Sequence, residues 1–451
     1  MSEPSRTTSL RALAMRLLRR RALTGSVAAV SIKAGGATLS LAIFTIAART
    51  MGAKQFGTLA IWYNALSFMA VAAVFGQETL IVRSWGEYTG SAQYGLARGA
   101  YVFGWRTTLI SAALWGGAVW TAAMFRGAGV PLSSVAAACA FLVAQTLLHY
   151  SSHSCRSIAG FLASESNREL TWRIVLLAAA LSAVSTGMTL TEFFGAAAAG
   201  ATLSIAIQSA IVRQRFPAAA LAARAQMLPR AWLERSRAMW LSAMVEAASQ
   251  YAEVVLLGWI TSPMVAGQYF VAARIANVFL MLGTGLHTYS ISHAANLFFA
   301  GEKEALQRLV RSVMTVAAAI MTPLLCVVAL FAPRILLIFG PRYAEGAGTV
   351  LILSTACFLV SMTGPSPGLL LITGFEKAYS RILVAALVLR FTLILILAQR
   401  FGALGAACGW ALANVPVSIG LAFLCRSKCG VDPSVLSILP VAQGRGKAAT
   451  G

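Results

Sequence analysis

Apolar runs of about 20 residues follow one another from Ser26 to Cys425 with only short polar interruptions. Twenty residues of α-helix at 1.5 Å per residue span the roughly 30 Å hydrocarbon core of a bilayer. In lipid every backbone N–H and C=O must be satisfied within the segment, so each run has to be a helix. Hydrophobic residues make up 58% of the chain and charged ones only 11%, too little polar surface for a water-soluble protein of 451 residues. The chain is therefore expected to be an all-α, polytopic membrane protein.

Read in order, the runs fall at about 26–48, 56–82, 99–124, 132–155, 171–190, 193–212, 238–261, 265–290, 312–332, 345–364, 380–399 and 402–425. Twelve spans put both termini on one side, and the basic residues say which. The tail at 1–25 carries Arg6, Arg11, Arg16, Arg19, Arg20 and Arg21, and the connection at 213–237 carries Arg213, Arg215, Arg224, Arg230, Arg235 and Arg237. Only six basic residues fall on the opposite side: Arg49, Lys54, Arg126, Arg334, Arg342 and Arg400. Both termini, including the tail at 426–451, are expected to be cytoplasmic, in a bacterial inner membrane.

The net charge of +22 is thus mostly topology, with attraction to anionic membrane lipids on the inner face, and no nucleic-acid partner is implied. The Arg-rich start with Ala47-Ala48 also resembles a cleavable secretory signal, but its apolar run exceeds the usual 7–15 residues. The seven cysteines lie in spans or at inner ends and read as small reduced apolar residues.

The connection at 213–237, with Pro217, Pro229 and alternating Ala, Arg and Leu, reads as a short amphipathic linker between six spans and six spans. The halves echo each other. Met51 to Ala60 joins spans one and two, Thr261 to Phe270 joins spans seven and eight, and Gly57 and Gly267 take the same place. Parallel six-span repeats imply an N-lobe at 26–212 and a C-lobe at 238–425 around a cavity.

Costly polar residues mark where function is to be sought, since a cation at a helix centre costs about 2.5 kcal/mol or more. Lys33, Arg274 and Arg390 lie inside spans. Arg274 is roughly 14 Å deep in span eight, and Glu253 in span seven lies at nearly the same depth on the neighbouring antiparallel helix, so an ion pair between them is expected. Two readings stand: the pair holds the hairpin together, or Arg274 with Asn277 on its face meets an anionic cargo. Glu246, Gln250 and Glu253 share one helix face and are candidates for charge pairing or for coupling to H+, Na+ or the membrane potential.

Lys33 either snorkels to the inner headgroups or uses the small Ala34-Gly35-Gly36-Ala37 surface beside a ligand. Arg49 closes span one, as cavity residue or interfacial arginine. Arg390 has no partner among its sequence neighbours and must find a carboxylate, water or ligand elsewhere. Gln77, Glu78 and Arg106 lie nearer the inner surface, as candidates for a cytoplasmic gate. Pro323, Pro365, Pro367 and Pro416 interrupt spans or their ends. His149 and His153 have zinc-like i, i+4 spacing but no third ligand nearby in sequence, so no metal and no cofactor are expected.

The stretch Ala48-Arg49-Thr50-Met51-Gly52-Ala53-Lys54-Gln55-Phe56-Gly57-Thr58-Leu59 resembles the opening signature of Wzx-type polysaccharide flippases. Leu257-Gly258 with Gly267-Gln268-Tyr269, Phe331-Ala332-Pro333 to Phe339-Gly340, Gly374-Phe375-Glu376-Lys377 and Gly402-Ala403-Leu404-Gly405-Ala406-Ala407 resemble later family motifs, in order. The resemblance covers about 26–425. It implies the multidrug, oligosaccharidyl-lipid and polysaccharide (MOP) exporter superfamily, with two six-helix lobes that alternate between inward-open and outward-open states.

On that basis the chain is expected to flip a polyprenyl-diphosphate-linked glycan for surface polysaccharide synthesis, O-antigen, exopolysaccharide or capsule, alongside polymerase and export machinery. Lys33, Arg274 and Arg390, with Arg49 and Asn277, would form a cationic cavity for the diphosphate or acidic sugars. A drug or metabolite exporter of the same superfamily is the nearest alternative, although span one holds Lys33 and no carboxylate between Ser26 and Arg49. A membrane glycan polymerase or ligase is disfavoured by the short outer loops, which carry no catalytic set.

Overall fold

The structure, a computed structural model, describes residue 28, residues 31–126 and residues 129–438. The arginines from Arg6 to Arg21, and Arg445 and Lys447, lie outside the described residues. All regular structure among the described residues is helical. In order the helices are α1 (Ser31–Met51), α2 (Ala53–Val74), α3 (Gln77–Gly90), α4 (Tyr94–Arg126), α5 (Leu132–Ala159), α6 (Phe161–Ser166) and α7 (Trp172–Ser182). Then come α8 (Leu190–Arg215), α9 (Ala218–Ala222), α10 (Pro229–Ile260), α11 (Pro263–Phe299), α12 (Lys303–Leu337), α13 (Ala347–Met362), α14 (Ser366–Ile372) and α15 (Glu376–Cys429).

Nine stretches among the described residues are long and apolar enough to cross a membrane. One of them, Lys377–Cys429, has 53 residues and would be about 80 Å long if straight. It breaks at Gly402 (φ 56°, ψ −134°), a conformation open to glycine, and so makes two rods. The helical stretch 161–182 and α10 are rods too, but their charged residues lower their hydropathy. Twelve rods result among the described residues. Leu114, Trp259, Leu330 and Val388 project from them exposed, as side chains do when lipid replaces water as solvent.

Two compact units are present. One holds the residues up to Gln55 together with Trp62–Ala252, the other Phe56–Ile61 together with the chain from Glu253 onward. This differs from the expected division at 213–237. The boundary falls inside α10 and also cuts α2. The connection itself is shorter than expected. Only α9 and an extended run to Leu228 separate α8 from α10, and Arg98 Nη1 ties that run down by donating to the carbonyls of Leu221 (2.6 Å) and Ala223 (2.9 Å).

In the first unit α5 packs most extensively against α8. A capping box starts α8: Glu192 N–H donates to Thr189 Oγ1 at 3.2 Å, and Thr189 N–H to Glu192 Oε2 at 2.8 Å. Small residues let it run close to α7, since a Cβ on Gly200 would lie 2.7 Å from the Trp172 carbonyl oxygen. Between α2 and α3 the chain breaks at Phe75 (φ 55°) and Gly76 (φ 71°). Trp240 of α10 secures the break: its Nε1–H donates at 3.0 Å to the Ala72 carbonyl, which also accepts from Phe75 N–H at 3.3 Å, and its ring lies 5.4 Å from that of Phe75.

In the second unit the two glycines that echo each other in sequence meet in space. A Cβ on Gly57 would collide with the Pro263 carbonyl, and one on Gly267 would lie 3.0 Å from Gly57 Cα. Phe56 seals this crossing with the rings of Phe270 (6.0 Å) and Tyr343 (5.9 Å).

Candidate functional site

A cavity of about 670 Å³ opens in the first unit. Its polar lining comes from Glu78 on α3, Gln145, His149 and His153 on α5, Arg168, Glu169 and Arg173 on the rod 161–182, and Ser242, Glu246 and Gln250 on α10. Tyr63, Trp172 and Tyr251 add aromatic faces. The size is that of a small-ligand site, but the wall is far more polar than most.

Local backbone irregularity builds one wall. Between α6 and α7 the residues Asn167–Thr171 form a π-helical turn, a rare wide turn often found at functional sites. Side chains take up carbonyls of that turn. Ser204 Oγ donates to Asn167 O (3.1 Å), Trp172 Nε1 to Arg168 O (2.9 Å) and Arg173 Nη1 to Glu169 O (2.5 Å). The arginines of the wall are themselves engaged. Arg168 lies 3.7 Å from Glu165, and Arg173 Nη1 lies 2.8 Å from Glu169 Oε2 while its Nε donates to Ser40 Oγ of α1 at 2.7 Å.

The small surface of α1 is used for close packing here, since a Cβ on Gly36 would come within 2.9 Å of Glu169 Oε2. Deeper support comes from Gln208 Nε2, which donates to Ser152 Oγ (3.1 Å) and Ser164 O (3.3 Å) and so fixes α8 against both flanking rods.

Three buried polar atoms of the lining, Glu78 Oε2, Gln145 Oε1 and His149 Nε2, have no hydrogen-bond partner among the described residues. Glu78 is 8% exposed. Burying such groups without partners is unfavourable, so water or a ligand is the natural complement of this wall. His153 Nδ1 contacts His149 O at 2.9 Å, and no group of three metal-ligating residues exists among the described residues.

Of the residues singled out from sequence, Glu78, Glu246 and Gln250 line this cavity. Gln77 is buried beside Glu78, and Arg106 is exposed on α4. Lys33 and Arg49 are exposed on α1, and Asn277 is exposed on α11.

The expected Glu253–Arg274 pair is replaced by another. Arg390 Nε lies 3.2 Å from Glu253 Oε1, and Tyr269 Oη donates to Glu253 Oε2 at 2.7 Å. Glu253 and Arg390 are 9% and 6% exposed. Arg274 instead sets its guanidinium 4.7 Å over the Phe270 ring. Equal depth on neighbouring helices made Arg274 a candidate, but which basic group reaches the carboxylate depends on rotation about the helix axes, which sequence depth does not encode. Arg390 thereby has the carboxylate its sequence neighbours lacked.

Arg168 and Glu169 escape sequence reasoning because the polar run Glu165–Glu169 reads as a loop ahead of span five, and Arg173 because it sits within two residues of the expected start of that span, at 171, and so looks like an interfacial arginine. The signal was available: Glu165/Arg168 and Glu169/Arg173 have the i, i+3 and i, i+4 spacings of helical ion pairs.

No family model matches the chain, and no curated protein matches it. Solved structures do. The inward-facing conformation of a multidrug resistance MATE family transporter of the MOP superfamily matches with TM-score 0.70 at 13% identity, over 90% of this chain and 98% of that one. The outward-facing conformation of a MATE family transporter matches with TM-score 0.61 at 13% identity, over 90% and 94%. A MOP superfamily transporter from Pyrococcus furiosus, described as having a binding pocket of reverse polarity that suggests a different function, also gives 0.61 at 13% identity, over 90% and 94%. At this identity the likeness is one of fold: an all-helical, polytopic MATE/MOP architecture.

Proposed function

We propose that this chain, built on the MOP transporter fold, moves a polyprenyl-diphosphate-linked oligosaccharide from the inner to the outer leaflet of a bacterial cytoplasmic membrane by alternating access. The lipid tail is already at home in hydrocarbon, so the obstacle is the passage of sugar hydroxyls and diphosphate. One observation carries the reading: a cavity of about 670 Å³ within a helical unit is walled by carboxylates, arginines, amides and imidazoles. Such a wall exchanges hydrogen bonds with many hydroxyls at once, while the half-buried Tyr251 adds an aromatic ring beside which a sugar can lie.

The test is depletion of the protein followed by mass spectrometry of lipid-linked oligosaccharide, resolved by leaflet. Accumulation on the inner leaflet is expected, and a normal distribution refutes the reading.

A second reading has its own observation. Glu78, Glu169 and Glu246 outnumber Arg168 and Arg173 on the wall, which suits a small organic cation and hence a drug or metabolite exporter. Resistance to several cationic dyes, without loss of surface glycan in a deletion strain, would favour it.

A further inference from the structure

The cavity concentrates acid in a chain that has little. The whole sequence has 14 acidic residues against 36 basic ones, yet Glu78, Glu169 and Glu246 line this one space, and Glu165 stands behind Arg168. Both lining arginines are already matched, Arg168 by Glu165 and Arg173 by Glu169. Glu78 and Glu246 therefore form the charge that the wall does not compensate by an ion pair of its own. Glu78 is the more demanding of the two, being 8% exposed with Oε2 unpartnered, and the acceptor Gln145 Oε1 on the same lining is unpartnered too. Two orphan acceptors, one of them ionisable, call for a ligand that brings several N–H donors and a positive charge. Glu78 also sits in the first turn of α3, where the helix favours negative charge.

We propose that the cavity binds a primary ammonium group on the glycan of the cargo, an unacetylated amino sugar, with Glu78 as its main partner and Glu246 as its second. The proposal rests on the flippase reading and narrows its cargo: the glycan carries a cation although the diphosphate that bears it is anionic. Neutral hydroxyls alone would leave the surplus acid of the wall uncompensated. An ammonium has three donors and no acceptor, the complement of a carboxylate and an amide oxygen. The ring of Tyr251, half-buried on the same lining, would flank the sugar.

The experiment uses the purified full chain in lipid nanodiscs and two probes, the β-1,4-linked trimer of glucosamine and its fully N-acetylated counterpart, followed by tryptophan fluorescence and calorimetry. The free-amine trimer should bind at least about tenfold tighter, the scale of one charge-assisted hydrogen bond. Glu78→Gln should erase that preference, Glu246→Gln should reduce it, and Glu345→Gln, exposed on the 3-10 helix Pro341–Gly346 of the other unit, should leave it intact.

Comparison of the two probes on the unaltered protein keeps the test decisive if Glu78→Gln misfolds. Equal affinity for the two trimers, or an undiminished preference in both cavity variants, overturns the proposal. Glu78-dependent binding of tetraphenylphosphonium with neither trimer bound also overturns it, in favour of small-cation export. Failure of the flippase reading would show separately, as a normal leaflet distribution in the depletion experiment.

Discussion

Replacing Arg390 by Leu should destabilise the second unit through the charge it leaves behind. Glu253 and Arg390 are 9% and 6% exposed, and their closest atoms are 3.2 Å apart. Removing one partner of a buried pair typically costs about 3–5 kcal/mol, because the remaining charge stays in a low-dielectric site. Tyr269 would still donate to Glu253 Oε2, so the lower half of that range applies, ~3 kcal/mol. At ~2–4 °C per kcal/mol for a unit of about 200 residues, the melting temperature of the detergent-solubilised protein should fall by roughly 10 °C.

The double variant Glu253→Gln/Arg390→Leu removes the orphaned charge and should recover most of that loss. Such recovery is the signature of coupling between the two side chains. A double variant as unstable as Arg390→Leu alone would refute the pairing.

At the helix crossing, Gly57→Ala should destabilise more than Gly267→Ala. The first new methyl meets the Pro263 carbonyl, whereas the second lies 3.0 Å from Gly57 Cα; the reverse order of melting temperatures would contradict the packing. Trp240→Phe keeps an aromatic ring against Phe75 but loses the bond to the Ala72 carbonyl. Hydrogen exchange should therefore quicken around residues 72–78 at a loss of about 1 kcal/mol, and unchanged exchange would show that the break holds itself. Arg173→Lys should impair transport almost as much as Arg173→Ala, because one ammonium cannot reach both Ser40 and Glu169 in the geometry of the guanidinium fork; full activity of the lysine variant removes that role.

Much of the helical architecture was legible because the bilayer imposes it. An apolar run of the right length must be a helix, and Gly402 lies at the expected division between the last two spans. The echo of Gly57 and Gly267 was visible as position, and the structure adds that the two residues touch. The cavity was harder to see. Glu246 and Gln250 stood out on one face of α10, and Glu78 as an acid within a span, but their common space is assembled from four rods distant in sequence. Arg168 and Glu169 of the wall were hidden by their polarity, since a hydropathy reading treats charge as the end of a span, and Arg173 by its place near the expected start of the next span. Arg390 posed a different problem, because its partner lies 137 positions away on another helix. Depth can be counted along a sequence, while rotation about a helix axis is settled by packing.

Transport of a lipid-linked glycan would show in the leaflet distribution of that lipid. Inner-membrane vesicles from cells depleted of this protein should hold the lipid-linked oligosaccharide on the cytoplasmic leaflet, out of reach of a membrane-impermeant glycosidase or lectin at the outer face, and re-expression should restore access. Equal access with and without the protein would rule out transport of that lipid by this chain.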